Sequence, residues 1–266
     1  MSKYPILLIV SHGGCQVPEE LAEISIVDDF TLFIEADTCA NEIFDLRQNI
    51  AAVVDTHISR LFIDTDRSYW DISKNKTDGV IKTHSPGGNQ IFADKCFPND
   101  IAISAIIKRY HLSFHETIRN ILKTGEIKFI IDCHTVMPIG PKNTKDAGMP
   151  RALVSVENKI KKNENLAATC PDNMAEALLR AFEDSFAKEK NGIDNPYVLK
   201  KEACDGYIME EYGQSKTNML RLNISKSLFL DEKYFSLDFM KVDELRLAEI
   251  KRKIGEALKR FSRLNL

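Results

Sequence analysis

The stretch IKFIIDCHTV, residues 127–136, decides the fold that the sequence predicts. It is rich in apolar and β-branched residues, which is typical of a strand buried inside a sheet. Near-continuous apolar strands of this kind belong mostly to parallel sheets that are covered by helices. We therefore interpret the stretch as a buried strand of an α/β protein.

Strand and helix patterns alternate along the rest of the chain. The other predicted strands are PILLIV (5–10), AAVVDTHI (51–58), LFIDT (61–65), RALVSVE (151–157) and LRLNIS (220–225). The predicted helices cover 19–24, 37–47, 99–122, 172–190 and 242–264, with Asn99 or Asp100, Asp172 and Asp243 as start signals and Gly125 as a stop signal. Strands separated by helices predict a mostly parallel α/β sheet.

The length and net charge of the chain limit the classes of protein to which it can belong. The chain has 266 residues and a formal net charge of −3, which fits a single domain at 1–266 and gives no overall basic surface for nucleic acid. Two lysine-rich runs, at 142–145 and 159–165, are interpreted as solvated loops. The apolar run at 5–10 is too short for a signal sequence or a membrane span. The sequence thus predicts a cytoplasmic protein without membrane or nucleic-acid partners.

Two of the six histidines, His12 and His134, lie at the C-terminal ends of strongly apolar predicted strands. Gly13 and Gly14 follow His12 and permit a sharp turn and the close approach of a ligand. In a parallel sheet both imidazoles would project into one crevice, and neutral imidazoles are good zinc ligands. The pair therefore predicts a metal site. The alternative is that each histidine caps a loop and bonds to the backbone.

A catalytic zinc ion usually has three protein ligands, so a third is expected. Asp37 is the preferred candidate, followed by Glu19 and Asp132. Asp37 could equally be the N-cap of the helix that starts there. Asp132 lies two residues before His134 on the same face of a strand, which suits a carboxylate that orients an imidazole.

Charged residues concentrate at 59–70, around an apolar run. Arg60 and Arg67 could bind a substrate carboxylate in bidentate fashion or polarise a carbonyl, or they could pair internally with Asp64 and Asp66. Two further histidines, at 111 and 115, are four residues apart and share a helix face, which favours helix packing or a polar contact at the rim of the site.

Several other kinds of site are disfavoured by motifs that the sequence lacks. It contains no G-x-S-x-G nucleophile motif, no G-x-G-x-x-G and no P-loop lysine. The six cysteines include no C-x-x-C pair, which argues against a zinc ribbon or a disulfide scaffold. Cys133 and His134 are strand neighbours that point to opposite faces, so they do not form a catalytic pair.

In their order and spacing, six short motifs between about residues 6 and 232 resemble the N-formylglutamate amidohydrolase family, relatives of zinc carboxypeptidases and aspartoacylases. SHGGCQVP (11–18) is similar to His-Ser-Gly-x-x-x-Pro, DTCANEIF (37–44) to Asp-x-x-Val-Asp-x-Leu, SRLFIDTDR (59–67) to Ser-Arg-x-x-x-Asp-x-Asn-Arg, FHETI (114–118) to Tyr-His-x-x-Leu, DCHT (132–135) to Asp-Cys-His-Ser, and DGYIMEEYG (205–213) to Gly-Gly-Tyr-Ile followed by Tyr-Gly.

The resemblance implies a zinc-carboxypeptidase-like (phosphorylase/hydrolase-like) α/β fold, with a mixed sheet and helices on both faces. It implies a metal-dependent amidohydrolase that uses Zn²⁺ or another divalent ion to cleave a small N-formyl or N-acyl amino acid. The implied metal ligands are His12, Asp37 and His134. The implied contacts to substrate come from Arg67, which acts in catalysis, and from Arg60, Asp66, His115 and Asn223.

Two departures from the family pattern matter. Asp66 stands where the family has asparagine, and the family's Gln-x-Glu strand aligns with Arg221-Leu222-Asn223. Asparagine cannot accept a proton as a general base, so Glu210 or Glu211 is expected to substitute for it. Losing a general base typically costs about 10²–10⁴ in rate. The alternative function is therefore a catalytically weak or silent binding protein on the same fold.

Overall fold

The computed structural model describes residues 3–72, 78–142, 144–189 and 193–266. Two sequence predictions reach outside these ranges, at Asn143 in the first lysine-rich run and at Lys190, the expected end of a helix. Ten strands lie in the described part of the chain: β1 (Tyr4–Val10), β2 (Ile50–Asp55), β3 (Phe129–Val136), β4 (Val154–Glu157), β5 (Lys159–Lys162), β6 (Asn165–Ala168), β7 (Tyr197–Lys200), β8 (Asn218–Ser225), β9 (Phe235–Ser236) and β10 (Lys241–Val242).

Six of these strands form one mixed sheet in the order β2-β1-β3-β8-β4-β7. β2, β1, β3 and β8 run parallel to one another, β4 pairs antiparallel with β8, and β7 runs parallel to β4. The predicted α/β fold with a mixed, mostly parallel sheet is confirmed. The stretch at 127–136 supplies β3, which lies between β1 and β8 and is buried from Phe129 to Thr135.

Helices cover both faces of the sheet. They are α1 (Asp29–Glu35), α2 (Ala40–Ile43), α3 (Asp100–Ile106), α4 (Ser113–Lys123), α5 (Asp172–Ser185), α6 (Tyr207–Tyr212) and α7 (Glu244–Asn265), with 3-10 turns at Glu19–Leu21, Ala187–Glu189 and Lys226–Leu228. In the described ranges no helix combines the length and the apolar character needed to cross a membrane.

The alternation of side chains along β3 and β8 produces two different faces. One face is apolar over most of its length and packs under α2, α5 and α7, with Ile131 and Leu222 among its members. The other face starts apolar, at Ile130 and Met219, where it packs under α4 and α6. Towards the C-terminal ends of the strands this second face becomes polar, with Asp132, His134, Arg221 and Asn223. The candidate site lies at that polar end.

Two of the local predictions are wrong. Residues 61–65 form a turn and not a strand, because the backbone N–H groups of Phe62 and Ile63 bond to Ser59 O at 3.0 and 3.3 Å. These residues are apolar because they are buried in a separate hydrophobic cluster, which also contains Val80. The lysine-rich run at 159–165 is also not a loop, since it lies in the β5–β6 hairpin.

The long helix predicted at 99–122 is interrupted in its middle. Asn99 caps it, since Asn99 Oδ1 accepts hydrogen bonds from the backbone N–H groups of Ile101 and Ala102. A π-helical segment, Ile107–Leu112, separates α3 from α4. Such segments are frequently found at functional sites. The helix predicted at 37–47 is much shorter than expected, because α2 covers only four residues.

Candidate metal centre and active site

His12 lies immediately after β1, in a turn that continues through two glycines. Its Nε2 atom is 2.7 Å from Asp64 Oδ1. The other nitrogen, Nδ1, is buried and has no hydrogen-bond partner among the described residues. A Cβ at Gly14 would lie 2.3 Å from the carbonyl carbon of His57, so only glycine fits there. The turn thus presents an unpaired imidazole nitrogen at the end of the sheet.

His134 lies within β3, on the polar part of the sheet face. Its Nδ1 atom is 2.7 Å from Asp37 Oδ2, and its Nε2 atom is 3.1 Å from Asp132 Oδ2. The ring centroids of His12 and His134 are 5.2 Å apart. The structure therefore brings the two histidines together at the same edge of the sheet.

Asp37 is held between the two histidines by its backbone. Its N–H donates to the carbonyl oxygen of His12 at 2.9 Å. The N-cap of α2 is Cys39, in a left-handed conformation with φ 58° and no side-chain capping bond. The Asp37 carboxylate therefore does not cap the helix. Its Oδ2 atom lies 2.7 Å from His134 Nδ1 and 4.0 Å from His12 Nδ1.

These three side chains form a set of possible metal ligands. One donor atom from each of His12, Asp37 and His134 lies within 4.8 Å of the others, and all three residues are buried. The Glu19 side chain is 84% exposed in a surface turn and does not approach them. Two imidazole nitrogens and one carboxylate oxygen suit zinc or a similar divalent ion.

The charges around the set favour a cation. Burial lowers the pKa of His134, but the Asp132 and Asp37 carboxylates outweigh it and raise that pKa to about 10. Burial, helped by Arg60, lowers the pKa of His12, so its ring is neutral. Burial raises the pKa of Asp37, but the two histidines outweigh it and bring that pKa below its usual range. The Asp37 and Asp132 carboxylates therefore stabilise a positive charge here, and a metal ion that binds to His134 must displace the proton of its ring.

A carboxylate supports each histidine from behind: Asp64 at His12 and Asp132 at His134. Contacts of this kind fix the orientation of metal-binding imidazoles. Asp64 is held in turn by Lys82, whose Nζ lies 2.6 Å from Asp64 Oδ2 and whose residue is 2% exposed. Lys82 was not predicted from the sequence, because a lysine carries no local signal that it is buried.

A second donor set, from Asp66, Asp132 and His134, also lies within 4.8 Å. Here a side chain already supplies the positive charge. Arg221 Nη2 is 2.8 Å from Asp66 Oδ2, and Arg221 Nε is 2.7 Å from Asp132 Oδ2. Gly206, with φ 132°, allows this pair to form, since a Cβ there would lie 2.4 Å from both Arg221 and Asp66. The first set is therefore the better candidate for a metal site.

The metal candidates open into a pocket of about 410 Å³. Cationic side chains line much of the rest of its wall: Arg60, Arg67, Arg151, Lys200 and Arg221. Arg60 bonds to Asp64 at 3.3 Å, and its buried Nε has no partner within the described ranges. Arg67 pairs with Asp78 near the surface. A larger pocket of about 660 Å³, beside α7, contains none of the three candidate ligands.

Comparisons with known proteins place this chain in a family. The family model for N-formylglutamate amidohydrolase matches residues 4–230. The chain belongs to this family. The fold is similar to that of an N-formylglutamate amidohydrolase from Ralstonia eutropha JMP134, with a TM-score of 0.73 and 16% sequence identity over 99% of this chain and 94% of that chain.

A gene product from Agrobacterium tumefaciens has the same fold, with a TM-score of 0.66 and 13% identity over 99% of this chain and 93% of that chain. No curated protein matches the sequence. The N-formylglutamate amidohydrolase family, and with it a hydrolase class, is therefore established by the family model.

Three residues expected to act in an N-formylglutamate amidohydrolase site lie away from the pocket wall. Glu210 and Glu211 are exposed on α6, because that helix turns its apolar residues towards the sheet. His115 is buried behind the site, with Nε2 2.9 Å from Thr65 O and Nδ1 2.8 Å from Tyr212 Oη. Contrary to expectation, His115 supports the loop at 64–67 and is not among the residues that line the pocket.

Asp66 and Asn223, where this sequence departs from the family pattern, both line the pocket. Asp66 is bound to Arg221 and is therefore not free for a ligand. Asn223 lies beside His134 in the register of β3 and β8, and its Nδ2 atom is 2.9 Å from Glu157 Oε1. Sequence reasoning missed this contact, because it depends on β4 lying antiparallel to β8.

Proposed function

We propose that this protein hydrolyses the amide bond of an N-formyl or N-acyl amino acid, of which N-formylglutamate is the reference compound, in a metal-dependent reaction. The observation that carries the proposal is the convergence of His12, Asp37 and His134 at the mouth of a cation-lined pocket. Membership of the N-formylglutamate amidohydrolase family supports the hydrolase class.

His12, Asp37 and His134 would hold zinc or another divalent ion. When bound, such an ion lowers the pKa of a coordinated water towards ~7 and polarises the amide carbonyl. The protein's own contribution is orientation, since Asp64 and Asp132 fix the two imidazole rings.

The substrate's carboxylate is assigned to the arginines of the pocket. Arg60 has an unpaired buried N–H, and a guanidinium binds a carboxylate in bidentate fashion. Arg67, whose side chain is 42% exposed, lies at the outer part of the wall and contacts the same carboxylate or the amide carbonyl.

A second candidate function is a binding protein that retains the metal and ligand sites without turnover. The observation that favours it is the absence of a glutamate at the expected base position. Asn223 occupies the wall of the pocket, while Glu210 and Glu211 face the solvent.

One experiment separates these functions. The purified protein is assayed for bound metal by mass spectrometry, and for turnover of N-formyl-L-glutamate and a panel of N-formyl and N-acyl amino acids. We expect turnover that is lost after chelation and restored by added zinc. Metal and ligand binding without turnover would support the binding protein, and Asn223→Glu combined with Glu157→Gln, which avoids two facing carboxylates, should then raise activity. Full activity in the metal-free protein would contradict both metal-based functions.

A further inference from the structure

A ladder of alternating charges crosses four neighbouring strands below the candidate metal ligands. In the register of the sheet, Asp132 on β3 pairs with Arg221 on β8. Arg221 pairs in turn with Glu157 on β4, and Glu157 pairs with Lys200 on β7. Directly paired residues share a face of the sheet, so the four side chains alternate in sign along one row. Glu157 is the member of this row that the proposed function does not use.

Glu157 contacts the pocket wall through Asn223. The residue is 8% exposed. Its Oε1 atom accepts hydrogen bonds from Lys200 Nζ at 2.8 Å and from Asn223 Nδ2 at 2.9 Å. Asn223 Nδ2 also lies 3.2 Å from Ser155 Oγ, on the same neighbouring strand. The NH₂ group of Asn223 is thus bound towards β4.

These contacts fix which way the Asn223 amide points. A carboxylate paired with an ammonium group can only accept hydrogen bonds, so the NH₂ group and not the carbonyl oxygen must face Glu157. Asn223 lines the pocket beside its register partner His134. The polar atom that Asn223 has left for a ligand is therefore Oδ1, a hydrogen-bond acceptor.

We propose that Glu157 is a positioning residue that locks the Asn223 amide with its oxygen towards the substrate, so that the site selects a scissile group that carries an N–H. This inference rests on the proposed function. The N–H of an amide donates to Oδ1. An ester places an oxygen there, which leaves two acceptors facing each other, and sites built to bond an N–H reject the analogue that lacks it.

The test compares N-formyl-L-glutamate with its formate ester analogue, in which oxygen replaces the amide nitrogen. Using the ratio of kcat/KM for the two compounds, relative to wild type, cancels their difference in intrinsic reactivity. Glu157→Met keeps the length of the side chain but removes the acceptor, and we expect it to lower the amide-to-ester ratio about tenfold, the value of one hydrogen bond. Glu157→Gln retains an acceptor oxygen for Lys200 and Asn223 and should preserve the ratio. Glu202→Met, at an exposed position, is the matched control.

The outcomes distinguish this inference from the function on which it rests. A folded Glu157→Met protein that keeps the wild-type ratio overturns the inference alone. A wild-type protein that neither binds nor cleaves either compound overturns the proposed function, and the inference with it.

A second measurement uses only the wild-type protein and needs no substrate. In the wild-type protein labelled with ¹⁵N-asparagine, the side-chain NH₂ protons of Asn223 should exchange with solvent at least about tenfold more slowly than those of free asparagine, because both are bound on the β4 side. Exchange at the rate of free asparagine would show that the amide is not locked.

Discussion

Replacing His134 by alanine is expected to lower the affinity for zinc by more than about 100-fold, because losing even a supporting contact at such a site costs about 10–100-fold. His134 Nδ1 and Asp37 Oδ2 are 2.7 Å apart, so the substitution removes one donor and leaves the other without its partner. Turnover of N-formyl-L-glutamate should fall with metal occupancy. Affinity is measured by competition with a chromogenic chelator, and activity at a fixed zinc concentration that saturates the wild type but not the variant.

The control for this prediction is His57→Ala. His57 is exposed and lies in the wall of the larger pocket, away from the three candidate ligands. It should bind zinc as tightly as the wild type. Equal zinc affinity in His134→Ala and the control would contradict the assignment of the metal site.

Replacing Arg221 is expected to lower the free energy of unfolding. The Arg221 side chain is 12% exposed and pairs with both Asp66 and Asp132. Arg221→Gln leaves two buried carboxylates without their cation, and we expect it to lower the free energy of unfolding by about 3–5 kcal/mol. Asp66→Asn should lower the free energy of unfolding by less, because Arg221 still pairs with Asp132. In addition, burial raises the pKa of Asp66 despite the opposing effect of Arg221.

The double variant Asp66→Asn, Arg221→Gln carries the two amides that the family motifs have at these positions. Its loss of stability should be smaller than the sum of the single losses, with a coupling of about 1–3 kcal/mol, since an amide pair replaces the ion pair. Chemical denaturation of the wild type and the three variants at one pH measures this. Strictly additive losses would mean that the two side chains do not depend on each other.

Continuous or alternating apolar patterns were sufficient to predict the strands that carry the site. PILLIV and IKFIIDCHTV become β1 and β3, and His12 and His134 meet because parallel strands end at the same edge. The strand predicted at 61–65 from the same kind of pattern was wrong. These residues are apolar because they are buried in a separate hydrophobic cluster, and not because they form a strand. A local apolar pattern predicts that a segment is buried, but it does not predict which segments its backbone bonds to.

The parts of the site that the sequence did not predict depend on contacts between distant segments. Lys82 reaches Asp64, and Glu157 reaches Asn223 only because β4 is antiparallel to β8. Glu210 or Glu211 was expected to substitute for the general base that is missing at Asn223, but both are exposed on α6. Strand register and helix orientation depend on how distant segments pack together. Local sequence patterns do not show that packing.

The most direct test of the metal assignment is a crystal structure of the zinc-soaked protein, with anomalous diffraction data collected on both sides of the zinc absorption edge. We expect one strong anomalous peak bounded by His12 Nδ1, a carboxylate oxygen of Asp37 and His134 Nδ1, at the ordinary zinc–ligand distances of about 2.0–2.2 Å. A peak between Asp66 and Asp132, or no peak near His12 at saturating zinc, would contradict it.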